Sequence, residues 1–237
     1  MGLVPKASRS PNTTLVAYAL ACGVPLAAYV ATASAHAHWL DSGEMVEAAI
    51  ELDVAHPPGH PLAALVGHLL TLLPLGPLAL RVALGQALCA ALACGFLFRA
   101  LDTTSRVFGL RHDRVTVPIA LGGTWLVGTS FGWWLQAVRP EVYALEALLV
   151  AIVIERVVAL EAAWPVSDVR PFYIASFVTG LGLANHHFMM VLVLPALAPT
   201  AARVYRAHGG RALAIAGAAL AGGLTPYLYL PVRAATL

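Results

Sequence analysis

Charge is what this chain has least of. Asp, Glu, Lys and Arg make up 11% of its 237 residues, while 59% are hydrophobic. Soluble domains carry about 25% charged and about 45–50% apolar residues. A water-soluble core would therefore leave too much apolar surface uncovered, and the composition describes an integral membrane protein. Cysteine is scarce too. Cys22, Cys89 and Cys94 all lie inside apolar runs, as small core hydrophobes do, which argues against a disulfide framework or a metal site. No Gly-rich phosphate loop is present. No basic run with interleaved aromatics occurs either, so nucleic acid is not an expected partner. There is no internal repeat and no long Pro/Gly/Ser linker, so residues 1–237 read as one domain.

What is present is a series of apolar runs. A spanning helix needs about 20 such residues. The runs predict spans at 14–34, 78–98, 115–135, 142–163, 171–185, 187–204 and 212–232. The fifth and sixth are short and adjoin at Asn185-His186-His187. The stretch 61–75 is apolar but only 15 residues long, which suits an interfacial or re-entrant helix. Lys6 and Arg9 precede the first run, and Ala33-Ser34-Ala35 resembles a signal-peptidase site. A cleaved signal peptide is thus an alternative, but 21 residues at 14–34 match a retained crossing.

The positive-inside rule supports this order. With the N-terminus in the cytoplasm, Lys6, Arg9, Arg99, Arg106, Arg111, Arg114, Arg156, Arg170, Arg203, Arg206 and Arg211 fall on the cytoplasmic side. Arg81, Arg139 and Arg233 fall opposite, a bias of eleven to three. The same topology gathers Asp41 to His60, Trp133 to Tyr143, Asn185 to His187 and Arg233 at the extracytoplasmic ends.

The densest polar segment is the first of these. Asp41, Glu44, Glu47, Glu51 and Asp53 lie within 13 positions. Carboxylates beside a membrane are costly unless solvated or used. Asp41-Ser42-Gly43-Glu44 has the spacing of a capping box, with Asp41 as N-cap and Glu44 at N3. Beyond it, Glu44, Glu47 and Glu51 share one face and Met45, Val46, Ala49 and Ile50 the other, as in a helix lying at the membrane surface. The functional reading makes Asp41 a general base and Glu44 a second carboxylate. His56-Pro57-Pro58-Gly59-His60-Pro61 is a rigid, non-helical connection. Its histidines can hydrogen-bond a phosphate or titrate near neutral pH. His56, His60 and a carboxylate could ligate a metal, but no zinc-type spacing is present and none is expected. Trp133 and Trp134 read as an interfacial aromatic belt. Arg139 lies on the side where positive charge is disfavoured. It either pairs with Glu141 or contacts an anionic ligand. Asn185-His186-His187 reads as polar groups at a helix break, where free backbone N–H groups suit a ligand. Glu146, Glu155 and Glu161 carry less signal, and Glu155 is expected to snorkel with Arg156 toward the cytoplasm.

Several segments together resemble a bacterial membrane family of unknown function, related to the eukaryotic O-mannosyltransferases that modify plexin-type receptors. They are Trp39-Leu40-Asp41-Ser42-Gly43-Glu44, His56-Pro57-Pro58-Gly59-His60-Pro61-Leu62, Gln136-Ala137-Val138-Arg139-Pro140-Glu141-Val142-Tyr143, Asn185-His186-His187 and Tyr229-Leu230-Pro231-Val232-Arg233-Ala234. His60 stands where an aromatic is usual, and family members continue past the seventh span, so the chain corresponds to an N-terminal core of that pattern. The resemblance implies a GT-C-like bundle of about seven transmembrane helices with a long first extracytoplasmic loop carrying interfacial helices. It implies a bacterial inner-membrane glycosyltransferase moving a sugar, mannose among the options, from a polyprenyl-phosphate donor to a protein or glycan hydroxyl, with no other cofactor. Asp41 matches the catalytic Asp, with Glu44 beside it. His186, His187, Arg139 and Arg233 are candidates for the lipid phosphate, with His56, His60, Glu141, Tyr143 and Asn185 lining the substrate site. The competing readings are a transporter or cation-binding protein using the His/carboxylate cluster, and a non-catalytic remnant.

Overall fold

The computed structural model describes residues 11–37, 40–110 and 112–236. Lys6, Arg9 and Arg111, counted above toward the cytoplasmic side, and Trp39 of the first family motif lie outside the described residues. Among those described, every element is helical: α1 (Pro11–Thr32), α2 (Ser42–Glu51), α3 (Pro61–Thr71), α4 (Leu78–Val107), α5 (Asp113–Gly128), α6 (Phe131–Ala137), α7 (Tyr143–Ala163), α8 (Arg170–Val191), α9 (Leu194–Gly223) and α10 (Tyr229–Ala234), with a 3-10 turn at Thr225–Leu228.

α4 is the hub. It packs against α1, α5 and α7, α7 packs on α8, and α8 on α9. Small side chains make this possible. Ala83, Ala87, Ala90, Ala91 and Ala93 on α4 are at most 1% exposed, and membrane helices associate through such residues because they let backbones approach. The α8–α9 contact is tighter still, since a Cβ on Gly180 would stand 2.8 Å from the Cα of Gly223. The outward faces keep large apolar side chains, among them Leu15 and Leu126, 68% and 75% exposed. Hydrocarbon solvates such a surface; water does not.

α1 and α4 occupy the expected first two spans, and each is long and apolar enough to cross a membrane. The expected third span is the pair α5–α6, bent by 71°. The α8–α9 pair is bent by 111°, and counting each bent pair as one span gives up to four crossings among the described residues. α7 coincides with the expected fourth span but carries Glu146, Glu155 and Arg156. The backbone does leave helical geometry at His186 (φ −145°, ψ 87°), as the polar triplet predicts, yet helix resumes to Val191. The sharp turn instead precedes α9, where Pro195 occupies the first helical turn, a position that needs no N–H. α9 is broken at Gly209 (φ 73°), and the expected last span stays α-helical only to Gly223 before the 3-10 turn. Glu155 does not snorkel. It is 3% exposed and pairs with Arg99 of α4 at 3.0 Å as well as with Arg156, because a carboxylate at a helix–helix contact is held best by a cation from the neighbouring helix.

Candidate functional site

α2 and α3 pack on each other and carry the first polar segment. α2 buries Ser42, Met45, Val46, Ala48 and Ala49 and exposes Glu47 and Glu51, the amphipathic division predicted. Gly67 of α3 lets the pair close, since a Cβ there would lie 2.9 Å from the Cβ of Ala49. His68 Nδ1 donates to the Ala49 carbonyl at 2.8 Å.

Asp41 is the N-cap of α2, as expected, but its side chain makes no capping hydrogen bond. The capping box is not formed. Glu44 turns away from the helix start and accepts from His56 twice, from the backbone N–H and from Nδ1 at 2.8 Å. The reason is local. Leu52 ends α2 in the left-handed conformation, and the chain reverses through residues 53–55 so that His56 returns to Glu44 in the first turn of α2. Asp41 is left exposed beside the Glu44–His56 pair. Burial acts to raise the Glu44 pKa, but the His56 hydrogen bonds outweigh it and hold the carboxyl below its ordinary value. Asp41, Glu44 and His56 offer ligand atoms within 4.8 Å of one another, an arrangement able to hold a metal ion.

Behind this rim lies a buried polar chain. The His60 ring stands 5.1 Å from that of His56 and stacks at 5.6 Å on that of His186, and Tyr143 meets His186 at 5.2 Å. His60 is 3% exposed, and its Nδ1 donates to the Asn185 carbonyl at 2.7 Å. Burial pushes its pKa below the ordinary imidazole value despite that bond, and His56 adds repulsion. Asn185 Nδ2 donates at 3.0 Å to both the Val142 carbonyl and Glu146 Oε2. The kink at His186 allows this. It turns the Asn185 carbonyl out of the helix ladder and toward α3.

A second buried group stands beside α2. Ser42 Oγ donates to Glu141 Oε1 at 3.1 Å, and Arg139 lies 3.9 Å from the same oxygen. Burial raises the Glu141 pKa, with Arg139 and Ser42 pulling the other way. Arg139 also donates to Gln136 Oε1 at 3.1 Å, and its Nη1 is buried without a hydrogen-bond partner among the described residues.

Two predicted residues make their direct contacts elsewhere, although His187 still acts electrostatically on His60 and His186. His187 faces Phe188, its ring 4.2 Å away. Arg233 donates to the Glu51 carbonyl at 3.0 Å, at the far end of α2 from Asp41, about 15 Å along a helix of 10 residues. Sequence reasoning missed Ser42, Gln136 and the weight of Glu146. Ser42 could have been found as the one polar residue on the buried face of α2, and Glu146 as a carboxylate one turn into an apolar run.

The fold and site thus define an all-helical membrane protein with a carboxylate–histidine site built on two short helices at the end of its bundle. The profile of the protein O-mannosyl-transferase TMEM260 N-terminal domain matches residues 41–209, and the chain belongs to this family. It is 33% identical over 196 residues to the mouse protein O-mannosyl-transferase TMEM260, covering 81% of this chain and 27% of that protein. It is 24% identical over 174 residues to its Dictyostelium discoideum counterpart, covering 65% of this chain and 19% of that protein. The chain thus spans about a quarter or less of the length of these relatives. No solved structure matches it.

Proposed function

We propose that the chain is the membrane core of a glycosyltransferase that moves a sugar from a polyprenyl-phosphate donor to a hydroxyl of a protein or glycan. The relatives named as protein O-mannosyl-transferases make mannose the first sugar to test. The carrying observation is Asp41, an exposed carboxylate at the start of α2 with no capping bond, beside a Glu44 occupied by His56. In this reading the acceptor oxygen attacks the anomeric carbon and Asp41 takes its proton. The bond from that carbon to the phosphate oxygen breaks, the lipid phosphate departs, and the anomeric carbon inverts. Glu44 orients the acceptor. His186 and Arg139 steady the charge that grows on the leaving phosphate, the Nη1 of Arg139 having no hydrogen-bond partner among the described residues. His187 and Arg233 belong to this set only if donor binding moves them. No nucleotide is needed, and no cofactor beyond the lipid-linked donor. The bundle is read as GT-C-like, with about seven crossings in a bacterial inner membrane, the N-terminus cytoplasmic and the site extracytoplasmic.

The test is transfer of label from radiolabelled polyprenyl-phosphate sugars to protein or glycan in membranes carrying the chain. Asp41→Asn is expected to lower transfer by about a hundredfold or more while the protein stays folded and inserted. Full activity in that variant removes Asp41 as the base. The Asp41–Glu44–His56 arrangement also favours a second reading, a cation site. Metal binding that requires His56 and Glu44, with no sugar transfer, decides for it.

A further inference from the structure

α2 begins without the bond that usually holds a helix start. Asp41 is its N-cap but makes no side-chain cap bond, although its carbonyl accepts from the Met45 N–H at 2.8 Å. An uncapped helix start frays unless tertiary contacts hold it. Here the contact comes from 99 positions away. Ser42, fully buried, donates through Oγ to Glu141 Oε1 at 3.1 Å. Glu141 is 4% exposed, so its carboxylate acts on what stands directly beside it. Arg139, 3.9 Å from the same oxygen, supplies the cation that a buried carboxylate needs. Val142, the next residue, joins Met45 and Ala48 of α2 in one apolar cluster. The other end of α2 is held independently. Arg233 donates to the Glu51 carbonyl, and Tyr229 to the carbonyls of Leu52 and Asp53. Each end thus has its own tie, and the tie nearest Asp41 is Glu141. Burial and, more weakly, the nearby Asp41 charge push the Glu141 pKa up, so the two carboxylates stand close enough to feel each other.

We propose that Glu141 is a positioning residue for sugar transfer: through its hydrogen bond with Ser42 Oγ it fixes the first turn of α2 and so places the Asp41 carboxylate at the acceptor hydroxyl. The assignment rests on the glycosyltransferase reading. It takes Glu141 out of the group that lines the substrate site and gives it a role exerted through Ser42. A shift of about 1 Å in a catalytic group can cost about a hundredfold in rate, so losing this one buried bond is expected to cost rate more than fold.

The experiment measures initial rates of transfer from radiolabelled polyprenyl-phosphate mannose in membranes carrying the chain, over a range of donor concentrations. Ser42→Ala removes the hydroxyl and leaves Glu141 in place. It is expected to lower kcat about tenfold and to keep the donor KM within about twofold. Its melting temperature is expected to fall by only a few degrees. Glu141→Ala is expected to lower kcat at least as far, and Ser42→Ala added to it no further, because both remove the same bond. In Asp41→Asn, adding Ser42→Ala is expected to cost less than about twofold, since the carboxylate it places is gone. A merely structural loss would be repeated there in full. Unmodified kcat in Ser42→Ala, a loss confined to KM, or the same loss in the Asp41→Asn background overturns the positioning role. If Asp41→Asn loses transfer while Ser42→Ala does not, this inference falls alone. If the unmodified chain transfers no mannose, the glycosyltransferase reading falls and takes this inference with it.

Discussion

Asp41 and Glu44 are three residues apart in one short helix, yet they occupy different chemical situations. Glu44 is held by His56 and Asp41 is not held by the helix it starts. The division of labour proposed above follows from that difference. His60 offers a prediction about pH. Its burial keeps the imidazole neutral below the value of about 6.5 at which an unfolded chain takes up a proton. Between that value and the lower folded one, the unfolded state binds more protons, so stability falls as the pH drops through this window. His56 and His186 face the His60 ring, and Glu44 and His187 act on it electrostatically. The melting temperature in detergent is expected to fall by a few degrees between about pH 7.5 and about pH 5.5. His60→Asn, which keeps an amide donor for the Asn185 carbonyl, is expected to show a smaller fall. An equal fall in both proteins rules out His60 as the source. The histidine's presence in the motif was legible in the sequence. Its burial was not, because the partner carbonyl is 125 positions away.

At the scale of elements, α2 and α3 form the platform that aims the site. Their spacing depends on Gly67 facing Ala49 and on the His68 bond to the Ala49 carbonyl. Gly67→Leu is expected to lift α2 from α3, reducing sugar transfer at least tenfold and destabilising the protein by about 1–3 kcal/mol, as overpacking does. Transfer assays with denaturation curves check this, and unmodified activity in the folded variant would show that the platform does not position the site. The amphipathic face of α2 and the short apolar α3 were both readable from periodicity and length. The failure of the capping box was not, since a histidine beyond the helix end competes for the same carboxylate.

For the whole molecule, the proposed orientation puts α2 outside and the middle of α9 inside. Glu47 lies on the exposed face of α2 and Arg206 is exposed on α9. Single cysteines at these two positions, in a chain whose Cys22, Cys89 and Cys94 are replaced, should label differently with an impermeant maleimide on intact cells. Glu47→Cys is expected to react from outside and Arg206→Cys only after the membrane is opened. The reverse pattern, or labelling of both from one side, overturns the topology.

Composition alone determined the solvent of this protein, because too few charged residues exist to cover a surface of this size. Apolar run lengths set where α1 and α4 lie, and the order of polar motifs set which segments could share a site. The tertiary structure decided how they share it. It turned His56 onto Glu44 and moved the α8–α9 turn from the histidines to Pro195. It placed Arg233 at the far end of α2 and joined Glu146 to His60 through Asn185. These outcomes depend on which side chains meet across helices far apart in sequence, and a pattern read along one chain carries no distance between them.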